Sequence, residues 1–307
     1  MEKYSQRLAY GEAIVALGAE NPRIVALEAD LGKSTMSAMF QAAYPDRYFE
    51  MGIAEANMIS TAAGLAASGK IAFCSSFAVF ASGRAYDQIR QTVAIGKLNV
   101  KICGSSCGLS DFGDGSTHQA VEDIAIMTAI PNMTVFTPAD ANETRQAVRA
   151  AAAIEGPVYI RVVRCDVPSY TSGEFVPGKL SVIRPGTDAA IIAHGIMIEA
   201  AMNAADILKE KGISAKVINA GTMKPFDSEG VVELSKQVKA VITVEDHSRI
   251  GGLASNTAMA LRKSATPMDY VAIEDHFGQS AHSMGDLLEH YGLTANAIVE
   301  KTVSLLK

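Results

Sequence analysis

The chain has 307 residues, 49% hydrophobic and 20% charged, which is enough for two ordinary domains with sizeable cores and excludes a disordered polymer. Its net charge is −6 and no Lys/Arg run exceeds two residues, so neither nucleic acid nor an anionic membrane is an expected partner. Cys74, Cys103, Cys107 and Cys165 have no disulfide or zinc spacing, the first residues are polar, and no apolar run reaches membrane length, a combination that predicts a cytoplasmic protein with reduced thiols and no metal ligands of its own.

Helical and strand patterns alternate along the whole chain. Ser5 to Leu17 predicts a helix and Ile24 to Ala29 a buried strand. Asp30 to Ser34 is then a loop, with Ser34 as the expected cap of a helix Thr35 to Ala42. Pro45-Asp46 turns into Tyr48-Phe49-Glu50, and an apolar helix follows from near Glu55 to Ala67. Next come a strand (Lys70 to Ser75), a helix (Ala81 to Ile95) and a strand (Val100 to Gly104). A long glycine-rich loop runs from Ser105 to Gln119, then helix (Ala120 to Ala129), strand (Met133 to Phe136), helix (Asn142 to Ala153) and strand (Val158 to Val162). Pro168 to Gly178 reads as connecting chain. Beyond it, strands at Ala189 to Ala193, Ala215 to Asn219, Ala240 to Val244 and Tyr270 to Ile273 alternate with helices, ending in a helix Thr294 to Leu306.

Such a series predicts α/β architecture with parallel or mixed sheets between helical layers, three layers in each of two domains. Ligands of parallel sheets gather at the carboxyl ends of the strands. Ser34, Glu55, the Phe77–Phe80 turn, the Asp111–His118 loop and Arg164 all lie just after predicted strands or at helix heads facing that edge. Position alone favours reading Glu55 as an ordinary helix-start acid or a surface ion pair. Buried, the same carboxylate needs a donor or a proton. Phe77 and Phe80 fill a core or stack on a flat heteroaromatic ring. His118 is one of six histidines, the one in the glycine loop, with little apolar bulk around it, which suits proton handling or hydroxyl binding. Gly113-Asp114-Gly115 opens like a diphosphate–magnesium motif, but Asn142 follows Asp140 at a helix start, so the glycines read as loop flexibility. No Gly-x-Gly-x-x-Gly or Walker sequence supports a nicotinamide or P-loop reading.

Met51-Gly-Ile-Ala-Glu55-Ala-Asn57, Phe77-Ala-Val-Phe80, Asp114-Gly-Ser-Thr-His118-Gln119 and Thr222-Met-Lys-Pro-Phe-Asp227 together resemble the transketolase family of thiamine-diphosphate enzymes. The resemblance covers a pyrimidine-binding domain (1–167), a linker (168–185) and a transketolase C-terminal domain (186–307), and lacks the half that holds diphosphate and magnesium. It implies the C-terminal subunit of a split transketolase. The expected activity is transfer of a two-carbon ketol unit from a ketose phosphate to an aldose phosphate, in an α2β2 assembly with an N-terminal subunit that binds most of the Mg2+ and diphosphate.

The resemblance also implies roles. Glu55 matches the acid that shares a proton with the pyrimidine N1′ of thiamine diphosphate and favours the imino tautomer of its exocyclic amine. Phe77 and Phe80 match positions around the pyrimidine, Asp114 a residue on a sugar hydroxyl, and His118 one at the reacting oxygens. Arg7, Ser34 and Arg164 match a sugar-phosphate clamp. Ser106 stands where many relatives carry a donor-binding histidine, so the donor is open. Arg84 lies in a run Arg-Ala-Tyr-Asp-Gln that also resembles deoxyxylulose-phosphate synthases and is open to a structural reading, while Lys224, Glu274-Asp275-His276 and the polar loop Glu245-Asp246-His247 are expected to be scaffold. The alternatives are a β subunit of a 2-oxoacid dehydrogenase, a transketolase specialised for a modified sugar, and a non-catalytic scaffold. Weak cofactor binding by the chain alone is expected.

Overall fold

Strands that are apolar along their whole length have to be covered on both faces, and the chain does this twice. The computed structural model describes residues 2–307. Among them, a seven-stranded sheet runs in the order Thr222–Lys224, Thr134–Phe136, Val158–Val162, Val100–Ser105, Ile71–Phe77, Ile24–Glu28, Tyr48–Glu50, parallel except for the first strand. Every residue of its four middle strands, from Val158–Val162 to Ile24–Glu28, is buried. Helices Gln6–Glu20, Ala38–Ala43 and Ala141–Ala153 pack one face; Glu55–Ala67, the helical stretch 79–94 and Asp123–Ala129 pack the other.

A five-stranded sheet follows, in the order Met268–Ile273, Ala240–Ser248, Ala189–Ala193, Ala215–Asn219, Ser181–Arg184, with the last strand antiparallel. Helices Met197–Glu210 and Ala295–Leu305 cover one face, Ser228–Ser235 and Leu253–Leu261 the other. Ser181–Arg184 falls within the stretch 168–185 and already belongs to the second sheet. Thr222–Lys224 crosses back to complete the first sheet. Lys224 then donates to the carbonyls of Thr128 and Ile130 at 2.8 and 2.6 Å, which is the structural role expected of it.

Three local expectations differ from the structure. Ser34 caps nothing: it lies inside a short helix, Gly32–Thr35, that ends at Met36 with φ 67°. The buried Glu28 carboxylate takes the hydroxyls of Thr35 and Ser37, which breaks the helix there, and a new one starts at Ala38. The helix expected over Ala81 to Ile95 is wound largely as π-turns, Val79–Arg84 and Ile89–Ala94, around a short α segment. Glu245-Asp246-His247 is no loop but the fully buried end of the strand Ala240–Ser248.

That strand end is where the two halves lock. Arg161 donates through Nε to Asp123 Oδ2 at 3.1 Å and through Nη1 to Asp246 Oδ1 at 2.6 Å, while Tyr159 Oη donates to Asp123 at 2.9 Å. Burial alone would lower the guanidinium pKa; the two carboxylates outweigh it and hold the group charged. Glu245 accepts from the amides of Leu253 and Ala254, satisfying the head of the next helix. Removing Arg161 leaves two buried carboxylates unpaired. Arg161→Met is therefore expected to lose about 3–5 kcal/mol of stability in urea unfolding, with part recovered when Asp123→Asn and Asp246→Asn are added.

A second cross-link is Glu143, which accepts from Asn219 Nδ2 at 2.7 Å and from the Ala139 amide at 2.6 Å. Burial pushes its carboxyl up to about 7, against the donors that stabilise its anion. A folded-state pKa above the unfolded one means the folded state holds the proton longer. Stability contributed at pH 4.5 and below is then lost as pH rises to about 7. Chemical unfolding at pH 5 and pH 8 should show a fall on the order of 1–3 kcal/mol from this group, and Glu143→Gln should flatten that slope.

Candidate active site

The parallel register brings the carboxyl ends of the first sheet level: Glu28 lies beside Ser75, Phe77 beside Ser105, and Ser105 beside Val162. The turns that leave these strands meet along one edge. After Tyr48–Glu50 the chain reverses at Gly52, whose φ of 68° suits glycine, and Glu50 Oε1 ties the turn by accepting the amides of Asp30 and Gly52. Glu55 is the first residue of the following helix and only 1% exposed. The positive end of the helix dipole favours a carboxylate there.

Its hydrogen-bond partner is Arg84. Nη1 lies 2.9 Å from both Glu55 oxygens, and the guanidinium carbon sits 4.5 Å from the Phe80 ring centroid. Arg84 closes the π-turn Val79–Arg84, the wider winding that directly follows the strand Ile71–Phe77. Arg84 is half-exposed and shares the buried Glu55 carboxylate. Helical periodicity cannot place it, because the winding is not α. The one signal in the sequence is an arginine four positions after Phe80.

Phe77 and Phe80 lie nearly parallel, 6.3 Å between centroids at 17°. His118 presents its edge to both, at 6.1 and 5.3 Å. Its Nδ1 is 2.9 Å from Thr117 Oγ1. The loop carrying it is set by Gly115, with φ 75°, and is held from the second domain: Gln119 Nε2 donates to the carbonyls of Asp111 and Gln279, and the Ala281 amide to Phe112. Asn142 lies elsewhere, donating to the Thr171 carbonyl from within the helix Ala141–Ala153.

Arg164, just past the strand Val158–Val162, stands 5.9 Å from the Phe77 centroid and extends the line of contacts. It pairs with Asp111 at 2.7 Å and lies 3.8 Å from Asp114. Asp114 is 53% exposed; Asp111, which sequence reasoning passed over, is the buried partner. Arg7 donates through Nη1 to the Ser34 carbonyl at 2.7 Å, and its buried Nε has no partner. Burial and then the nearby Arg164 charge lower the Arg7 pKa. Ser106 is fully buried in left-handed backbone, φ 54°, and its hydroxyl and that of Ser105 are unpartnered. Contacts thus run Glu55, Arg84, Phe80, His118, Phe77, Arg164, Asp111, with Asp114 at the rim. Arg7 joins Ser34 through backbone rather than through its hydroxyl.

Residues 2–169 match the family described as transketolase, pyrimidine binding domain, and residues 178–298 match transketolase, C-terminal domain. A putative transketolase C-terminal section from Methanocaldococcus jannaschii is 43% identical, covering 98% of this chain and 96% of its own. A 6-deoxy-6-sulfo-D-fructose transketolase subunit from Clostridium sp. (strain MSTE9) is 42% identical over 97% of this chain and 94% of its own. In three dimensions the chain is similar to a split gene transketolase solved as an inactive β4 tetramer, with TM-score 0.90, 46% identity and 99% of both chains covered. Two adjoining α/β domains, a buried acid joined through Arg84 to an aromatic pair at the carboxyl edge, and these likenesses lead to one conclusion: the chain belongs to the transketolase family, as a C-terminal subunit of the split type.

Proposed function

We propose that this chain is the catalytic C-terminal half of a two-chain transketolase that uses thiamine diphosphate. It moves a two-carbon ketol unit between sugars whose far end is phosphorylated or similarly anionic. The observation that carries the reading is the Glu55 carboxylate, 1% exposed and joined through Arg84 to Phe80 of the Phe77–Phe80 pair. The residues fit an aminopyrimidine. Arg84 already lays a planar N–H donor on the face of Phe80 and into Glu55, which are the two contacts such a ring needs. The cofactor, when bound, supplies the carbon nucleophile that breaks and rebuilds the carbon–carbon bond.

This chain's residues do the rest. Glu55 holds a proton at the pyrimidine N1′, in a dry slot where such a bond is strong. Phe77 and Phe80 wall that slot and exclude water. His118, with Nδ1 engaged by Thr117, keeps Nε2 for the oxygens of the reacting carbonyl. Asp114 takes a sugar hydroxyl, and Ser106 lies on the donor side. Arg7, Ser34 and Arg164 hold the anionic end, and binding energy there positions the distant carbonyl.

The diphosphate and Mg2+ fall to an N-terminal partner subunit in an α2β2 assembly, so activity needs both chains. The inactive β4 state of the 46%-identical relative supports that dependence. No helix among the described residues is long and apolar enough to cross a membrane, and we place the enzyme in the cytoplasm, with sugars of the pentose phosphate class as its reference substrates. Ser106 in place of a histidine favours a second reading, a transketolase specialised for a modified sugar like the relative named for 6-deoxy-6-sulfo-D-fructose. Glu55→Gln in the assembled two-chain enzyme is expected to lower turnover roughly 100- to 10,000-fold while leaving sugar KM within a few-fold. Retained turnover removes the catalytic reading and leaves a scaffold.

A further inference from the structure

The arginine at the anionic end of the site is already paired. Arg164 Nη1 donates to Asp111 Oδ2 at 2.7 Å, and the Asp111 side chain is 3% exposed. The carboxylate is locked in place. The Asp111 carbonyl accepts from Gln119 Nε2 at 3.1 Å and from the Gly115 amide at 3.3 Å, and the Arg164 amide donates to Ser110 Oγ at 3.1 Å. Burial lifts the Asp111 carboxyl above the usual range, Arg164 pulls it back, and the Asp114 charge lifts it further. Asp114 is mostly in solvent, where its charge is screened.

Two guanidinium charges therefore lie near one buried carboxylate; Asp166, whose charge also acts on Arg7, is exposed and screened like Asp114. A phosphate dianion held bidentately by each arginine needs two free N–H groups on a shared edge of each. Arg164 has Nη1 taken by Asp111, and Arg7 has Nη1 taken by the Ser34 carbonyl while its buried Nε is unpartnered. Each arginine therefore keeps its Nε–Nη2 edge for a ligand. What Asp111 removes is charge rather than donors: with its carboxylate counted, a net charge of one remains. A second negative charge on the ligand would lie against Asp111 in a partly buried setting, where like charges repel most.

We propose that Asp111 is a specificity-determining residue that tunes this end of the site to a singly charged sugar terminus, of the sulfonate class, over a phosphate dianion. The inference rests on the reading that Arg7 and Arg164 face the far end of the sugar. It is tested in the assembled two-chain enzyme with three donors: a ketose 6-phosphate, the matching 6-deoxy-6-sulfonate, and the unsubstituted ketose. At pH 8 the phosphate is a dianion and the sulfonate a monoanion. The wild type is expected to show the lower KM for the sulfonate. Asp111→Asn should reduce the phosphate-to-sulfonate KM ratio about tenfold, chiefly through a lower KM for the phosphate. Asp111→Ser, which also removes the charge, should do the same, so the outcome does not hang on the folding of one variant. An unchanged ratio in both variants, or a wild type that prefers the dianion, overturns the proposal. Arg164→Met separates the two levels. If it leaves both anionic donors no weaker relative to the unsubstituted ketose, the placement of the sugar end is wrong. If it weakens them while Asp111→Asn leaves the ratio alone, the placement stands and only the role of Asp111 falls.

Discussion

A carboxylate shut off from water must be given a donor, and the edge of the first sheet is arranged around that demand at Glu55. The tight turn at Gly52 and the head of the helix Glu55–Ala67 bring the acid inward. The π-wound segment after Phe77 brings Arg84 to it. The pair is asymmetric: Glu55 is buried, Arg84 is half in solvent. An exposed, flexible cation on a buried acid is exchangeable in a way that two buried partners are not, because the arginine recovers its hydration on leaving. The stack on Phe80 adds only about 0.5–1 kcal/mol at such exposure. Under the proposed function, a planar heterocycle delivered by a second subunit would compete for an acid that is already oriented.

The rest of the site depends on the contact between domains. The loop that carries Asp111, Asp114 and His118 is glycine-rich and has few apolar side chains of its own to anchor it. Gln119 and the 279–281 segment of the second domain hold it instead. That hold is only as firm as the domain interface, whose buried centre is Arg161 between Asp123 and Asp246. Such a charged centre contributes little net stability beside an apolar one, but it has few alternative geometries. The second domain thus fixes where one loop of the first domain stands.

Where the pattern of hydrophobic residues is local, the sequence is legible. Ala189–Ala193 is apolar and buried along its whole length, so an unbroken apolar run marks its bounds; Val158–Val162 and Ala215–Asn219 are largely apolar, interrupted by Arg161 and by Lys216 and Asn219. The strands Lys3–Ser5, Ser181–Arg184 and Thr222–Lys224 are short and pair with partners far along the chain, and no local pattern announces them. Glu245-Asp246-His247 misleads for the same reason: three polar residues look like a surface turn until Arg161 and the helix head Leu253–Ala254 supply their partners.

The order of residues alone carries the alternation of strand and helix, the two-domain α/β class, the family motifs, and the set of polar residues that follow the strands. Those depend on side-chain period and on residue identity, which are properties of neighbours in the chain. Which of those residues meet is settled by folding: Arg84 with Glu55 across 29 positions, Arg164 with Asp111 across 53, Arg161 with Asp246 across 85. Ion pairs between distant segments are set by sheet register and by non-α winding, and neither leaves a period in the chain from which it can be read.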